Sequence, residues 1–421
     1  MKIAVTRHTI SNWYFILVLL ALGVCTYLVM PDMDNTAEAG SGMSFLAIAC
    51  LSALQFPLLI YIIYERYQTQ PKVSRHIPRF VLYYVVFFIW MTLVSVLTNE
   101  TLNIFGKAIA FMTLILYPLL LICSYFRGRT SKLDIWFYLA VLFLMVCIIV
   151  QYGNVYNLAN QLSDESSHIA VSYFPLFVLP ILLLPSSRIV KFISIAITAI
   201  IIISAVKRGG LIAMGASLVV YVFVKQIVSK VSTTKKVMTI SAMIILMCGA
   251  LYYLGEVIEE NNIIERIMNI KDDGGSDRDI LWKDTYNNIQ NRDFGFRMMG
   301  NGFRSAQIES AFQLPAHNDV LEICYDFGII GLGLYSIAFL SLCVYAFRLL
   351  KRKSRYAPHL AMILCYYFIF SMISIVILYF WLAILMFSIG IIAGLADTEL
   401  EELQKQNSIT KTNKDKKCLA N

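Results

Sequence analysis

Residues 80–97 read FVLYYVVFFIWMTLVSVL, eighteen consecutive positions without a charged side chain. At 1.5 Å of rise per residue, a helix of that length reaches ~27 Å, close to the ~30 Å hydrocarbon core of a bilayer. Similar runs recur along the chain, at 13–30, 44–64, 102–126, 133–150, 170–184, 192–206, 211–224, 237–254, 327–347, 359–376 and 380–396. The last two form one apolar stretch too long for a single span, and they divide best near Leu378–Tyr379. Composition agrees with this picture. Of the 421 residues, 58% are hydrophobic and 15% charged, whereas about a quarter of a soluble domain is charged. The expectation is an all-α polytopic membrane protein with about twelve transmembrane helices.

Two other features fit without adding structure of their own. Among the nine cysteines, Cys25, Cys50, Cys123, Cys147, Cys248, Cys343 and Cys365 lie inside apolar runs, where a thiol is a small hydrophobe. Ala37-Glu38-Ala39 has the small-x-small form of a cleavage site. It follows a run, Trp13 to Met30, already long enough to span, so that run is expected to be an uncleaved first helix.

Charge placement gives an independent check, because Lys and Arg concentrate in cytoplasmic loops near helix ends. With both chain ends inside, twelve spans put 25 of the 35 basic residues on the cytoplasmic side, and the outer loops 31–42, 98–101 and 151–168 carry none. Lys107 lies within the fourth run, where it either snorkels to a head group or marks an internal polar site. The other exceptions cluster. Lys207 and Arg208 sit in the outer turn between spans 7 and 8, and seven more basic residues sit in one outer segment, roughly 255–318. The chain thus divides into spans 1–9 (1–254), one large outer loop (255–318) between helices 9 and 10, spans 10–12 (319–396) and a polar tail (397–421). Cations gathered outside, against the usual bias, point to an anionic ligand there. Placed this way, the net charge of +8 does not call for nucleic acid.

The outer loop carries the candidate site. Its helical stretch places Trp282 and Tyr286 four residues apart on one face, either as a sugar platform or as an interfacial anchor. Arg278 stands near the start of that helix, where a cation opposes the macrodipole, and Asp277 or Asp279 would pair with it. The loop ends in Pro315-Ala316-His317-Asn318-Asp319-Val320-Leu321-Glu322. Asp319 and Glu322 have the spacing of a capping box and are expected to start the helix rather than to act as a catalytic pair. His317 would then face the helix's positive end, which favours the neutral, proton-accepting imidazole. Gly328, Gly331 and Gly333 follow at a spacing that lets a neighbour approach, and Gly209-Gly210 either does the same or brings backbone close to a phosphate. No metal-ligand cluster, Walker loop or dinucleotide fingerprint appears, so neither metal nor cofactor is expected.

The order of these residues is Lys207-Arg208-Gly209-Gly210, then Arg278 with Trp282, then Asn301-Gly302-Phe303. It closes with His317-Asn318, Leu321, Gly328 and Gly331-Leu332. It resembles the O-antigen ligase and polymerase superfamily, integral membrane enzymes of bacterial surface polysaccharide assembly. The motif-bearing stretch spans roughly 200–335, and the remainder matches in hydropathy alone. The resemblance implies transfer of a glycan from an undecaprenyl-diphosphate-linked donor to a sugar hydroxyl, on the periplasmic face of the bacterial inner membrane. By that likeness His317 is the catalytic base, Arg208 and Arg278 bind diphosphate with Lys207 assisting, and Trp282 and Asn318 contact substrate. It further implies a metal-independent, inverting glycosyltransferase, with a chain-length regulator as a candidate partner beside membrane lipid. A polymerase is slightly favoured over a ligase that hands the polymer to a lipid A–core acceptor. The rival of another class is a lipid-linked oligosaccharide flippase or transporter. Such proteins often show paired halves and midplane polar residues, neither of which is evident here.

Overall fold

A computed structural model describes residues 7–33, 42–69, 77–98, 104–129, 133–161, 170–205, 208–229, 274–377 and 381–419, with a few isolated positions between 232 and 241. Every regular element among them is helical. They are α1 (Arg7–Met33), α2 (Gly42–Thr69), α3 (Arg79–Thr98), α4 (Ile104–Gly128), α5 (Ile135–Gln161), a 3-10 turn (Ala170–Tyr173), α6 (Phe174–Leu182), α7 (Arg188–Ser204) and α8 (Arg208–Val228). Then follow α9 (Gly274–Asn291), α10 (Phe294–Met299), α11 (Ser305–Glu309), α12 (Asp319–Lys351), α13 (Ala357–Ile373) and α14 (Trp381–Leu419). The span expected at 237–254, the first part of the outer loop and the Leu378–Tyr379 division lie outside the described residues.

Among the described residues, six stretches are long and apolar enough to cross a membrane: Arg79–Thr98, Phe111–Gly128, Ile135–Asn154, Gly209–Val228, Asp319–Lys351 and Trp381–Gln406. Asn12–Leu28, Leu46–Tyr61 and Ala357–Ile373 are shorter apolar helices. By length and composition the protein is therefore a polytopic membrane protein, all-helical among the described residues.

Three expected spans take a different form. The apolar run 170–184 becomes a four-residue 3-10 turn and the nine-residue α6, with Pro175 in its first turn and Pro180 inside it. Nine residues cover about 14 Å, too little to cross a bilayer alone. All nine are buried, so α6 is an internal prop. The tenth span starts earlier than hydropathy indicates, at Asp319, and bends at Gly328. The last helix does not stop at the polar tail. Its Glu-, Lys- and Gln-rich sequence suits a helix, and the junction is held by Tyr125 and Tyr345, whose hydroxyls donate to Asp397 at 2.7 and 2.8 Å.

The core is built around the apolar half of α14, buried throughout from Trp381 to Ala396. It crosses α4 closely enough that a Cβ on Gly394 would lie 2.1 Å from the Tyr125 carbonyl oxygen. Phe177 of α6 packs edge-to-face with Tyr366, Phe370 and Trp381 at 5.3–6.1 Å between ring centroids. This aromatic packing carries Tyr173, at the top of α6, against Phe370 (4.6 Å) and Trp381 (5.7 Å).

Candidate functional site

Tyr173 is the point about which the site gathers. Helix α8 begins at Arg208, and its first turn is two glycines because nothing larger fits. A Cβ on Gly209 would lie 2.5 Å from Ile373 Cδ1 and 3.6 Å from the Tyr173 hydroxyl, and one on Gly210 would lie 2.9 Å from the Tyr173 ring. The start of α8, with its orphan backbone N–H groups, is thereby pressed against Tyr173 and the C-terminal end of α13. Of the two alternatives the sequence left open for this pair, close packing is what the structure displays. Lys207 lies outside the described residues, and for Arg208 only the backbone is described.

Helix α9 supplies Arg278. It begins at Gly274, several residues before the apolar pattern starts, so Arg278 lies in its second turn. Leu281 and Thr285 are buried on one side, whereas Trp282 and Tyr286 are exposed on another. Arg278 falls on the boundary and is half-buried. Its guanidinium lies within electrostatic reach of the Tyr173 hydroxyl. Trp282 lies one turn further along, open to whatever approaches. Tyr286 accepts a hydrogen bond from Gln290 Nε2 at 2.6 Å.

The third component is the start of α12. Here the N-cap is Asn318, not Asp319: its Oδ1 accepts from the backbone N–H groups of Val320 (3.0 Å) and Leu321 (3.3 Å). Its Nδ2 donates to the Met372 carbonyl at 3.4 Å. Met372 adjoins Ile373, so the same end of α13 meets both α8 and α12. His317 precedes the cap, half-buried, with φ at +52°. A left-handed backbone costs a residue other than glycine about 1–2 kcal/mol, and histidine is among the types that accept it more often. The turn thus sets the His317 backbone just outside the helix.

The capping box expected of Asp319 and Glu322 is replaced by something else. Together with Asp326 they are fully buried on one side of the first part of α12, and each holds a separate piece of chain. Asp319 accepts from Ser371 Oγ (2.6 Å) and from the backbone N–H of Val376 (2.8 Å) and Ile377 (3.3 Å), fixing the link after α13. Glu322 accepts from the Ala316 N–H, fixing the residue before His317. Asp326 accepts from the N–H groups of Arg304 (2.9 Å) and Ala306 (2.8 Å), capping α11. A buried carboxylate is tolerable when backbone donors replace its water.

Directly after these carboxylates the helix breaks. Gly328 has φ +71° and ψ −179°, and the carbonyls released by the break are taken by other donors. Asn301 N donates to Tyr325 O (3.3 Å), Gly302 N to Asp326 O (2.7 Å) and Trp90 Nε1 to Phe327 O (2.9 Å). The Asn301-Gly302-Phe303 motif is thus a brace across the kink. Gly331 packs on Trp90, as a close-approach glycine should, but Gly333 has no atom within 4 Å of an added Cβ.

These contacts sort the outer cations. Arg292 is spent on the Tyr325 hydroxyl (2.9 Å) and an ion pair with Glu309. Arg304 acts on the buried Glu322 and Asp326. Both serve the loop's attachment. Arg278 acts electrostatically on Tyr173. Sequence reasoning missed Tyr173, which lies in an apolar run with only the prolines after it to signal a break. Among the described residues no group of three or more His, Cys, Asp or Glu side chains is placed to hold a metal.

A sequence model of the O-antigen ligase family matches residues 193–336. The matched stretch, about a third of the chain, includes the positions of Arg208, Gly209, Gly210, Arg278, Asn301, Gly302, His317 and Asn318, and is what the chain shares with the O-antigen ligase family. It supports glycan transfer in O-antigen-type polysaccharide assembly as the general activity. No curated protein matches the chain.

Proposed function

We propose, with an O-antigen ligase domain at residues 193–336 as premise, that the protein transfers a glycan from an undecaprenyl-diphosphate-linked donor to a sugar hydroxyl. The observation that carries this reading is the meeting of two helix starts at the end of α13, α8 with Arg208 against Tyr173 and Ile373 and α12 with His317 and Asn318 against Met372, with Arg278 of α9 within electrostatic reach of Tyr173. Helix starts and arginines suit a diphosphate. The exposed Trp282, one turn from Arg278, offers a face for a sugar ring.

In the reaction, His317 takes the proton of the acceptor hydroxyl. The acceptor oxygen forms its bond to the anomeric carbon as the bond from that carbon to the diphosphate breaks. The electron pair leaves on the diphosphate, whose growing charge Arg208 and Arg278 stabilise, with Lys207 assisting. Attack opposite the leaving group inverts the anomeric centre, and no metal is required because the guanidinium groups take that role. Asn318, occupied as a helix cap, contributes by holding His317 in place, and any contact with substrate comes through its amide edge. In the membrane the reading adds a site on the periplasmic face of the bacterial inner membrane. Polymerisation, with another lipid-linked repeat unit as acceptor, is favoured over ligation to lipid A–core because the short loops offer no dedicated core platform.

Purified protein supplied with lipid-linked donor and acceptor tests the reading. Arg278→Ala is expected to lower transfer about a hundredfold, the cost of losing one charge-assisted contact in the transition state. Arg278→Lys is expected to recover it only in part, since lysine lacks the planar fork. Wild-type turnover in Arg278→Ala would remove the diphosphate role, and a strict need for added divalent metal would remove the metal-free chemistry.

A further inference from the structure

At the end of the bundle opposite His317 lies a cavity of about 830 Å³. Helix α8 runs from Arg208 at the site to Val228 at this cavity, α12 runs from Asn318 toward Lys353, and α13 turns back from it at Pro358 and His359. Four cations line it: Lys191, Lys225, Lys353 and Arg355. Its two acids are already engaged. Asp134 accepts from the Phe137 N–H at 2.9 Å and faces Arg127 at 4.0 Å. Glu399 holds Ser354 Oγ and the backbone and guanidinium of Arg355. Among the described residues, Lys191, Lys225 and Lys353 have no carboxylate partner.

Two of these cations, Lys191 and Lys225, act on a buried histidine. His359 is 7% exposed, and neither of its ring nitrogens makes a hydrogen bond of ordinary geometry, although the backbone of Leu183 and Arg355 also bears on the ring. Tyr221 meets it edge-on at 5.2 Å. Lys191 and Lys225 act on each other and both act on His359, and Lys225 lies over the Tyr221 ring at 5.6 Å, so two positive charges lie within electrostatic reach of one another in the lining. Their surroundings are apolar. Leu133, Leu184, Val228 and Leu395 complete the lining, and beside Lys191 the side chains of Ile189 and Phe192 are 72% and 73% exposed on α7. In a membrane protein such a face lies against acyl chains.

We propose that this cavity binds a phosphate-bearing anion, the headgroup of an anionic lipid, with Lys191, Lys225 and Lys353 around the phosphate and the acyl chains along α7. A basic pocket walled by apolar side chains between helix ends matches a charged headgroup with attached hydrocarbon. A free phosphate would match only the charges. The site is separate from the glycan-transfer site, at the far ends of α8 and α12.

Thermal unfolding of the full chain in nanodiscs distinguishes the sources. Discs of phosphatidylcholine are compared with discs containing phosphatidylglycerol and with phosphatidylcholine discs plus inorganic phosphate. Phosphatidylglycerol is expected to raise the transition by about 3–5 °C, and inorganic phosphate to leave it in place. The rise is expected to vanish in Lys191→Gln/Lys225→Gln and to persist in Arg348→Gln/Arg352→Gln, an equal charge loss outside the cavity lining. Should the first pair fail to fold, Lys353→Gln at the exposed rim replaces it and is expected to lose about half of the rise. An equal rise with inorganic phosphate would overturn the lipid assignment. No rise, a rise retained in the cavity variants, or a rise lost equally in the Arg348/Arg352 pair would overturn the site.

Discussion

The two halves of α12 obey different rules. Before Gly328, residues 319–327 carry three buried carboxylates that hold the link after α13, the turn before His317 and the start of α11. After it, residues 329–351 are an apolar membrane helix, with Ile337, Leu340, Val344 and Phe347 exposed outward and Arg348 and Lys351 in the last turn. The second half takes its position from lipid and from neighbouring helices. The first half takes its position from directed bonds to backbone, and those bonds also place the site. Rigid support of this kind is what a reacting group needs, because misplacement of about 1 Å is costly in rate.

Changes in the first half should therefore reach activity or the loop's attachment, and changes in the second should not. The largest expected effect is at His317, on the turn that Glu322 holds. His317→Ala is expected to lower transfer by about 10²–10⁴-fold, measured with purified protein and lipid-linked donor, while donor binding survives. The wild-type rate is expected to fall as pH drops through the imidazole's titration, since protonation removes the lone pair that accepts the proton. His317→Gln keeps a hydrogen bond but cannot take a proton. Near-normal turnover in that variant would reduce His317 to a positioning residue.

Asp319 should come next. Asp319→Ala removes three hydrogen bonds to a buried carboxylate and leaves the Val376 and Ile377 N–H groups without that acceptor. A loss of about 2–4 kcal/mol is expected, read as a lower unfolding temperature in detergent. Lost transfer with unchanged stability would instead give Asp319 a direct part in the reaction. Asp319→Asn retains one acceptor oxygen and is expected to lose less.

The difference between the halves also marks where the sequence was legible. Uncharged runs such as 80–97 gave most helices directly, because a bilayer imposes one length and one polarity on whatever crosses it. The charge map singled out the cations expected outside, Arg278 and Arg208 among them. It did not separate them from Arg292 and Arg304, whose partners Tyr325, Glu309 and Asp326 are set by the folded loop. Asp319 and Glu322 read as a capping box because local spacing says nothing of donors at Val376 and Ile377, more than fifty residues away. The cap was misplaced by one residue for a related reason: Asn318 and Asp319 are both good N-caps, and the Asp319 carboxylate was claimed by that distant link. Hydropathy alone also hid α6, since Pro175 and Pro180 lie in a run as apolar as any span.

The smallest effects come from two glycines that look alike in sequence. Gly328 sits at φ +71°, and a Cβ there would lie 2.2 Å from the Met298 carbonyl oxygen. Gly328→Ala therefore meets both an unfavourable backbone and an immovable neighbour, and is expected to cost about 2–3 kcal/mol through strain at the kink. Gly333 is an ordinary helical position, exposed, with nothing within 4 Å of an added Cβ. There the methyl group is accommodated and the chain loses the entropic penalty of glycine in a helix, so Gly333→Ala is expected to be neutral or to stabilise by up to about 1 kcal/mol. Both variants are read by unfolding temperature and by transfer. A destabilised Gly333→Ala would mean that a partner covers this face of α12 in the membrane, as the glycine spacing first suggested. A tolerated Gly328→Ala would show that the break persists without glycine, which would leave the freed carbonyls, and their bonds to Asn301, Gly302 and Trp90, as the features that set it.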